Sequence, residues 1–332
     1  LIHEHDVCVT ISHQGYVKRL PTDTFREQGR GGRGIKGGET KDGDFIEHIF
    51  VASTHDDLLC FTDSGRVFRL KVYQIPEATR TSRGRAIVNL LNLKEGENIV
   101  TFRNIKDFDT CQDNLVFATS MGRVKRTAVA EYRNVNSGGI HAIRLNDNDS
   151  LVDVIKTNGE GHVLIGTAQG MSIRFAETDA RLMGRTAAGV KGINLSDGDC
   201  VVGAVLAEDD ADLMTMTENG YGKRTPMLEY LVHSEDGSTR AQSRGGKGRR
   251  DIKTGERNGL VADIRSVRDS DSLMFITANG MLVRISANDI RTIGRNTKGV
   301  RVVNLKDGDR LIAAAKVEGR DENVEAELPA AT

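Results

Sequence analysis

The sequence predicts an all-β protein, a six-bladed β-propeller-like disc with four strands in each blade. Three observations predict it: a glycine-centred hairpin that occurs six times, an acidic turn that recurs between these hairpins, and a composition of 36 glycines and 4 prolines among 332 residues. Abundant glycine with little proline suits many tight turns better than long helices.

The hairpin repeat consists of a β-rich run, a turn glycine and a second β-rich run. The third copy, residues 117–126, reads Phe-Ala-Thr-Ser-Met-Gly-Arg-Val-Lys-Arg. The turn glycines are Gly15, Gly65, Gly122, Gly170, Gly220 and Gly280. Their spacing of about 50 residues matches a propeller blade and is too long for most helical solenoids. A closed ring of blades also limits exposed sheet edges.

Each hairpin repeat ends in an arginine, four residues after the turn glycine, whose role the sequence leaves open. The six are Arg19, Arg69, Arg126, Arg174, Arg224 and Arg284. The favoured interpretation is structural, with the side chain packing its stem and pairing with a neighbouring acid. Direct contact with a phosphate group is the alternative.

An acidic turn follows about 30 residues after most of these glycines. It occupies residues 41–44, 94–97, 146–149, 196–199 and 306–309. Asp-Gly between apolar runs is a hairpin signal, so each repeat is expected to hold two hairpins, or four strands. The predicted domain covers residues 1–317, with blades at about 7–54, 57–105, 114–157, 162–208, 212–268 and 271–317. Residues 318–332 are predicted to be an acidic, disordered tail that competes for a basic surface.

Between the two predicted hairpins of each repeat lies a segment rich in arginine, lysine and glycine. On a ring, equivalent segments fall at the same radius and form an arc of positive charge, which suits the regularly spaced phosphates of a duplex. The third repeat is the weakest, and a solvated polar face is the simpler interpretation of any single segment. The predicted DNA contacts outside the motifs described next are Lys36, Arg80, Arg83, Arg85, Arg133, Arg181, Arg185, Lys191, Arg249, Arg250, Arg291, Arg295, Lys298 and Arg301, and Arg240 lies in the same kind of segment.

Two of these segments share the pattern Q-x-R-G-G-[RK]-G. They read Gln28-Gly29-Arg30-Gly31-Gly32-Arg33-Gly34 and Gln242-Ser243-Arg244-Gly245-Gly246-Lys247-Gly248. The pattern resembles the gyrase A box, Q-R-R-G-G-K-G, a hallmark of the DNA gyrase A subunit. The first copy departs from that form at its second and sixth positions and the second copy only at its second position. The resemblance covers nearly the whole chain, including residues 72–80.

This resemblance implies a C-terminal β-pinwheel domain that binds and bends duplex DNA around its perimeter without sequence preference. In the family the box lies in the first blade, which favours the first copy as the true box. The second copy is either a second DNA clamp or a basic loop. The resemblance further implies a cytoplasmic, nucleoid-associated parent, an ATP-dependent type II topoisomerase. The gyrase B subunit, ATP, magnesium and the strand-cleaving tyrosine belong to other parts of that enzyme, and this domain is expected to be a monomer without cofactors.

Other functions find little support in the sequence. Aromatic residues make up 5% of the chain and tryptophan is absent, which argues against stacking on single strands. No GxxxxGK[ST] motif, convergent acid–base set or membrane-length apolar run occurs. The four cysteines are far apart and are expected to be reduced thiols rather than metal ligands. The alternatives that remain are a topoisomerase IV-type domain, a protein-interaction propeller and an enzyme on a propeller scaffold.

Overall fold

A computed structural model describes residues 1–22, 43–79 and 81–317 of the chain. It is built almost entirely of short antiparallel strands, with six 3₁₀ turns at Val72–Gln74, Ile87–Asn89, Val129–Tyr132, Glu177–Asp179, Met227–Tyr230 and Ala287–Asp289. None of the helices in these ranges is long and apolar enough to cross a bilayer. The strands are β1 (Asp6–Ser12), β2 (Tyr16–Pro21), β3 (Ile46–Ser53), β4 (Asp57–Thr62), β5 (Arg66–Lys71), β6 (Arg85–Ala86), β7 (Ile99–Ile105), β8 (Asn114–Thr119), β9 (Arg123–Ala128), β10 (Ile140–His141), β11 (Leu151–Thr157), β12 (His162–Thr167), β13 (Met171–Ala176), β14 (Val190–Lys191), β15 (Val201–Leu206), β16 (Asp212–Thr217), β17 (Tyr221–Pro226), β18 (Val232–His233), β19 (Thr239–Arg240), β20 (Arg249–Arg250), β21 (Val261–Val267), β22 (Ser272–Thr277), β23 (Leu282–Ser286), β24 (Val300–Arg301) and β25 (Leu311–Lys316).

The predicted six-bladed, all-β fold is confirmed, but the blades are assembled differently from the prediction. The first blade has the strand order β3-β1-β2-β6, and its outermost strand, β6, comes from the second repeat. In the same way, β10, β14, β20 and β24 each join the blade formed by the hairpin of the preceding repeat. Five blades therefore have four strands, and the sixth has three among the described residues, β23-β22-β25.

The expectation that the acidic turn forms a hairpin is wrong. The strands on either side of residues 94–97 lie in different sheets, because β6 pairs with β2 and β7 pairs with β4. The acid that ends the turn instead accepts a hydrogen bond from the backbone at the tip of the β-hairpin of its own repeat. These contacts join Asp44 to the Gln14 amide at 2.9 Å, Asp149 to Met121 at 2.9 Å, Asp199 to Gln169 at 2.9 Å and Asp309 to Asn279 at 3.0 Å.

In five of the six hairpin repeats the final arginine is a structural clamp, which favours the first of the two alternatives. In five blades its guanidinium group donates to a backbone carbonyl of the next repeat, near that repeat's 3₁₀ turn. The pairs are Arg19 with Ile75 at 2.6 Å, Arg69 with Arg133 at 2.6 Å, Arg126 with Ala180 at 2.6 Å, Arg174 with Met227 at 2.8 Å and Arg224 with Ala287 at 3.0 Å. Arg174 and Arg224 are also paired with carboxylates. The clamps therefore tie neighbouring blades together.

Apolar side chains of adjacent blades form the core. Phe61 of one blade meets Phe117 of the next, with ring centroids 5.6 Å apart in an edge-on arrangement. The first and last blades are also in contact, since Phe45 is buried in a cluster with Met274, Ile276 and Leu282. Side-chain packing between these two blades therefore completes the ring.

His13 and Glu47 form an ion pair beside this junction. His13 Nδ1 lies 2.6 Å from Glu47 Oε1, and the imidazole stacks on Phe45 at 5.0 Å. The hydrogen bond to Glu47 raises the pKa of His13 above 6.5. A raised pKa stabilises the fold fully below the unfolded value, and this stabilisation is lost as pH rises through the folded value.

We therefore expect H13Q to lower the free energy of unfolding by up to about 1 kcal/mol at pH 6, with much less effect at pH 8.5. Urea denaturation at the two pH values measures the difference. In an E47Q background the effect of H13Q should no longer depend on pH. An equal effect of H13Q at both pH values in the wild-type background would contradict the assignment.

Candidate nucleic-acid interface

A glycine with a left-handed backbone begins each outer strand and fixes where the basic segments lie. These outer glycines are Gly84, Gly139, Gly189, Gly248 and Gly299, with φ between +73° and +88°. A Cβ atom on Gly84 would lie 2.5 Å from the Val17 carbonyl oxygen, and one on Gly248 would lie 2.3 Å from that of Ser172. The left-handed φ and the lack of space for a Cβ atom both require glycine here. This close approach brings the basic segment against the neighbouring blade.

G248A is accordingly expected to lower the free energy of unfolding by about 1–3 kcal/mol, because alanine is strained at this φ and collides with the backbone of β13. The matched control is G246A, two residues earlier in the same loop. Gly246 has no left-handed φ, and its nearest neighbouring atom would be 3.7 Å from the added Cβ. Urea denaturation should show a large effect for the first variant and a small one for the second.

Cations recur at three positions relative to the outer glycine. The first position, four residues before it, holds Arg185, Arg244 and Arg295 in the last three repeats. The second position, immediately before it, holds Arg83, Lys247 and Lys298, and the third, two residues after it, holds Lys191, Arg250 and Arg301. The members of the second and third positions are all exposed.

The three first-position arginines link the outer strands into one continuous edge. Arg185 Nη1 donates to the His141 carbonyl at 3.1 Å, Arg244 Nη1 to that of Lys191 at 2.6 Å and Arg295 Nη1 to that of Arg250 at 2.9 Å. Each acceptor lies in the outer strand of the preceding repeat. Successive basic segments therefore contact one another in order, as a track around the perimeter requires. Arginine has five N–H donors, so several remain for a phosphate.

The charge on this edge is almost unopposed. The segments 181–191, 240–250 and 291–301 contain twelve lysines and arginines and no aspartate or glutamate. Among the described residues, the ion pairs of the chain do not involve Arg185, Arg244 or Arg295. An acid beside this edge is Asp179, whose carboxylate accepts from the backbone amide of Arg244 at 3.4 Å rather than from its guanidinium group. We refer to these three segments as the basic edge.

The other predicted contacts differ in exposure and in whether their charge is already paired. Arg85, Arg181, Arg240 and Arg291 are exposed, and Arg249 is half-buried with its guanidinium group donating to Leu231 O at 3.3 Å. Arg133 is partly neutralised, because its Nη1 lies 3.1 Å from Asp109. This pairing agrees with the weakness of the third repeat in the sequence.

Gln242, which the sequence predicts as a DNA contact, lies beneath the loop, and its burial argues against that role. This residue is 8% exposed, and its side-chain amide donates to the Tyr230 carbonyl at 3.2 Å. Its backbone amide donates to Arg174 O at 2.9 Å. The glutamine of the motif thus anchors the loop from beneath, while Arg244, Gly245, Gly246 and Lys247 form its outer part.

Sequence reasoning missed two tyrosines that support these cations, and one further cation. Arg83 stacks on Tyr16, with 3.8 Å from its Cζ atom to the ring centroid. The Tyr221 hydroxyl accepts from Arg301 at 2.9 Å and from Arg257 at 3.2 Å, and these arginines lower the pKa of that tyrosine. The available signal was a tyrosine directly after the turn glycine in two repeats, and Arg257 has no repeat counterpart.

Several predicted contacts lie outside the described residues. They are the first box-like motif, Gln28, Gly29, Arg30, Gly31, Gly32, Arg33 and Gly34, together with Lys36, Arg80 and the acidic tail 318–332. Their roles remain predictions. By sequence, Arg30 and Arg80 occupy the first cation position of their repeats and Arg33 the second.

The family of the chain follows from comparison with known proteins. The family model described as DNA gyrase C-terminal domain, beta-propeller, matches residues 6–53, 56–106, 113–158, 161–208, 211–234, 240–268 and 271–318. The chain belongs to this family. The resemblance drawn from the box-like motifs is thereby confirmed.

Relatives of this gyrase C-terminal domain include the DNA gyrase A subunit of Staphylococcus epidermidis, 43% identical over 325 residues, covering 97% of this chain and 35% of the relative. That of Haloquadratum walsbyi is 44% identical over 332 residues, covering 98% of this chain and 38% of the relative. The chain thus spans just over a third of the length of these relatives.

Two solved structures are similar to the domain over almost its whole length. The C-terminal domain of a DNA topoisomerase IV has a TM-score of 0.84 at 26% identity and covers 99% of this chain and 97% of its own. A DNA gyrase A C-terminal domain has a TM-score of 0.68 at 26% identity and covers 95% of this chain and 100% of its own. Fold similarity therefore includes both kinds of enzyme.

Proposed function

We propose that this domain binds duplex DNA along the basic edge and bends it around the ring without reading its sequence. The observation that supports this most directly is the continuous run of unopposed cations, linked from one repeat to the next by Arg185, Arg244 and Arg295. Such an arrangement follows a phosphate backbone rather than a compact ligand. The 3₁₀ turns of the described residues have three or four residues each, too short to enter a major groove as recognition helices.

The energetics favour binding that depends strongly on salt. Bending 20–30 bp by 40–90° costs on the order of 1–6 kcal/mol. Release of condensed counterions offsets this cost, and each neutralised phosphate contributes about −0.9 to the slope of log K against log salt. If all twelve cations of the basic edge contact phosphates, the slope reaches about −11.

Binding to linear duplexes of increasing length, at several salt concentrations, tests this proposal. We expect affinity to rise with duplex length until the perimeter is filled, with little dependence on base composition. Ligation of nicked circles in the presence of the domain should trap a change in linking number. Tight binding to one short duplex sequence, with no gain from length, would contradict wrapping.

Within a complete enzyme, we infer that the bent DNA serves the introduction of negative supercoils by a gyrase. This inference is supported by the relatives, which are DNA gyrase A subunits at 41–44% identity. The partners would then be the remainder of the gyrase A subunit, and through it the gyrase B subunit. ATP, magnesium and strand cleavage would belong to those parts.

A topoisomerase IV-type domain is the second candidate, favoured by the higher TM-score of 0.84 with that structure. Nicked-circle ligation separates the candidates, because chiral wrapping shifts the linking number in one direction. Binding without such a shift would support the second candidate.

A further inference from the structure

Three blades carry a lysine inside the ring wall, three residues after the turn glycine. Lys125 and Lys223 are 0% exposed and Lys18 is 8% exposed. The equivalent residues of the other blades are Phe68, Ile173 and Val283. An apolar side chain therefore fits this position. A buried lysine is costly there unless its ammonium group is paired and hydrogen-bonded.

The ammonium group of Lys125 holds the basic edge from the inside. Its Nζ donates to the carbonyls of Arg185 at 2.7 Å and Gly184 at 3.3 Å, and to that of Ala142. The face of Phe117 lies 4.8 Å from the same nitrogen. Burial lowers the pKa of Lys125 to about 7, because removal from water disfavours the charged ammonium form.

Lys223 repeats the arrangement two blades further on. Its Nζ donates to Gly294 O at 3.1 Å and to Arg295 O at 3.4 Å, the same two loop positions. It is held on the other side by Asp251, whose Oδ1 lies 3.4 Å away. In the first blade, Lys18 Nζ donates to Thr79 O at 3.1 Å and to Ser82 O at 2.7 Å, just before Arg83.

We propose that Lys125 and Lys223 are positioning residues for DNA binding, which fix the backbone beneath Arg185 and Arg295 so that both guanidinium groups face a duplex. The proposal rests on the proposed function. In each case the lysine binds the carbonyl of the first-position arginine itself, and that arginine binds the outer strand of the preceding repeat. Arg185 and Arg295 are thus each held twice. A lysine binds the backbone carbonyl, and the outer strand of the preceding repeat accepts from the guanidinium group.

The box-like loop of the fifth repeat is held by other means. It lies over Ile173, with the Cβ of that residue 3.5 Å from the position a Cβ on Gly248 would take. Its anchors are the buried Gln242 and the bond from Arg244 Nε to Asp179 O at 3.1 Å. The basic edge therefore alternates between loops fixed by lysine and a loop fixed by the glutamine and arginine of the motif.

The test combines K125M with R185A in a double-mutant cycle. K125M should weaken binding of a long duplex about five- to tenfold and reduce the salt slope by about one, as loss of Arg185 would. In the R185A background, K125M should have no further effect on affinity. The matched control is I173M, which places the same side chain in the next blade and should leave binding unchanged.

Hydrogen exchange gives a readout independent of DNA. In K125M, the amides of residues 181–191 should exchange at least tenfold faster, while residues 240–250 keep their wild-type rates. Unchanged exchange, or additive effects of K125M and R185A on affinity, would overturn the proposal. If K125M does not fold, the same cycle with K223M and R295A tests the proposal at the other lysine it names. Failure of the wild-type domain to bind any duplex would instead refute the proposed function, and the exchange data would still show whether the lysine fixes the loop.

Discussion

Replacing Arg185, Arg244 and Arg295 together by alanine is expected to weaken duplex binding by roughly two to three orders of magnitude at about 0.1 M salt. Each arginine that neutralises a phosphate releases close to one counterion, which corresponds to roughly a tenfold change in affinity at that concentration. The salt slope should become shallower by about three. Fluorescence anisotropy with a long duplex over a salt series measures both quantities.

The matched control removes the same charge from another part of the ring. Lys94, Lys106 and Lys306 are exposed and lie near the ends of the inner strands β7 and β25. Their triple alanine variant should change the salt slope by less than about one. Equal losses in the two variants would show that net charge alone drives binding and that the edge is not a track.

The number of blades could be predicted from the sequence, whereas their assembly could not. Alternation of apolar residues around the turn glycine identifies hairpins, because both strands of a hairpin are adjacent in the chain. The outer strands have only two residues each and pair with the preceding repeat, as β6 does with β2. So short a strand carries no periodic signal, and its partner is remote in sequence. The acidic turn was misinterpreted for the same reason.

The basic edge was visible in the sequence as a set of charges, but the role of each charge was not. Gln242 and Arg244 belong to one motif, yet the first is buried and the second spans two repeats. Lys125 and Arg126 are adjacent in sequence, and one holds the basic edge while the other clamps a 3₁₀ turn. Alternate residues of a strand point to opposite faces, so their roles separate only when both neighbours are known.

Asp251 provides the second large effect: D251A is expected to lower the free energy of unfolding by about 3–5 kcal/mol. This carboxylate is 2% exposed and accepts from the hydroxyls of Tyr230 at 2.5 Å and Thr215 at 2.6 Å, and Lys223 lies 3.4 Å away. Its removal leaves a buried ammonium group without a counter-charge and two hydroxyls without their acceptor. Urea denaturation measures the loss, and D236A, which removes an exposed carboxylate at the β18–β19 hairpin tip, is the control that should leave stability almost unchanged.

The third blade keeps a buried lysine without a carboxylate at the position equivalent to Asp251. There Ala142 stands where the fifth blade has Asp251, and Phe117 stands where it has Thr215. Lys125 interacts with the Phe117 ring, and the Tyr132 hydroxyl donates to the Ala142 carbonyl at 2.8 Å. T215F combined with D251A recreates this arrangement around Lys223, so the double variant should be more stable than D251A alone even though T215F alone is expected to be destabilising. Additive losses from the two substitutions would mean that the aromatic ring does not replace the carboxylate as the partner of a buried lysine.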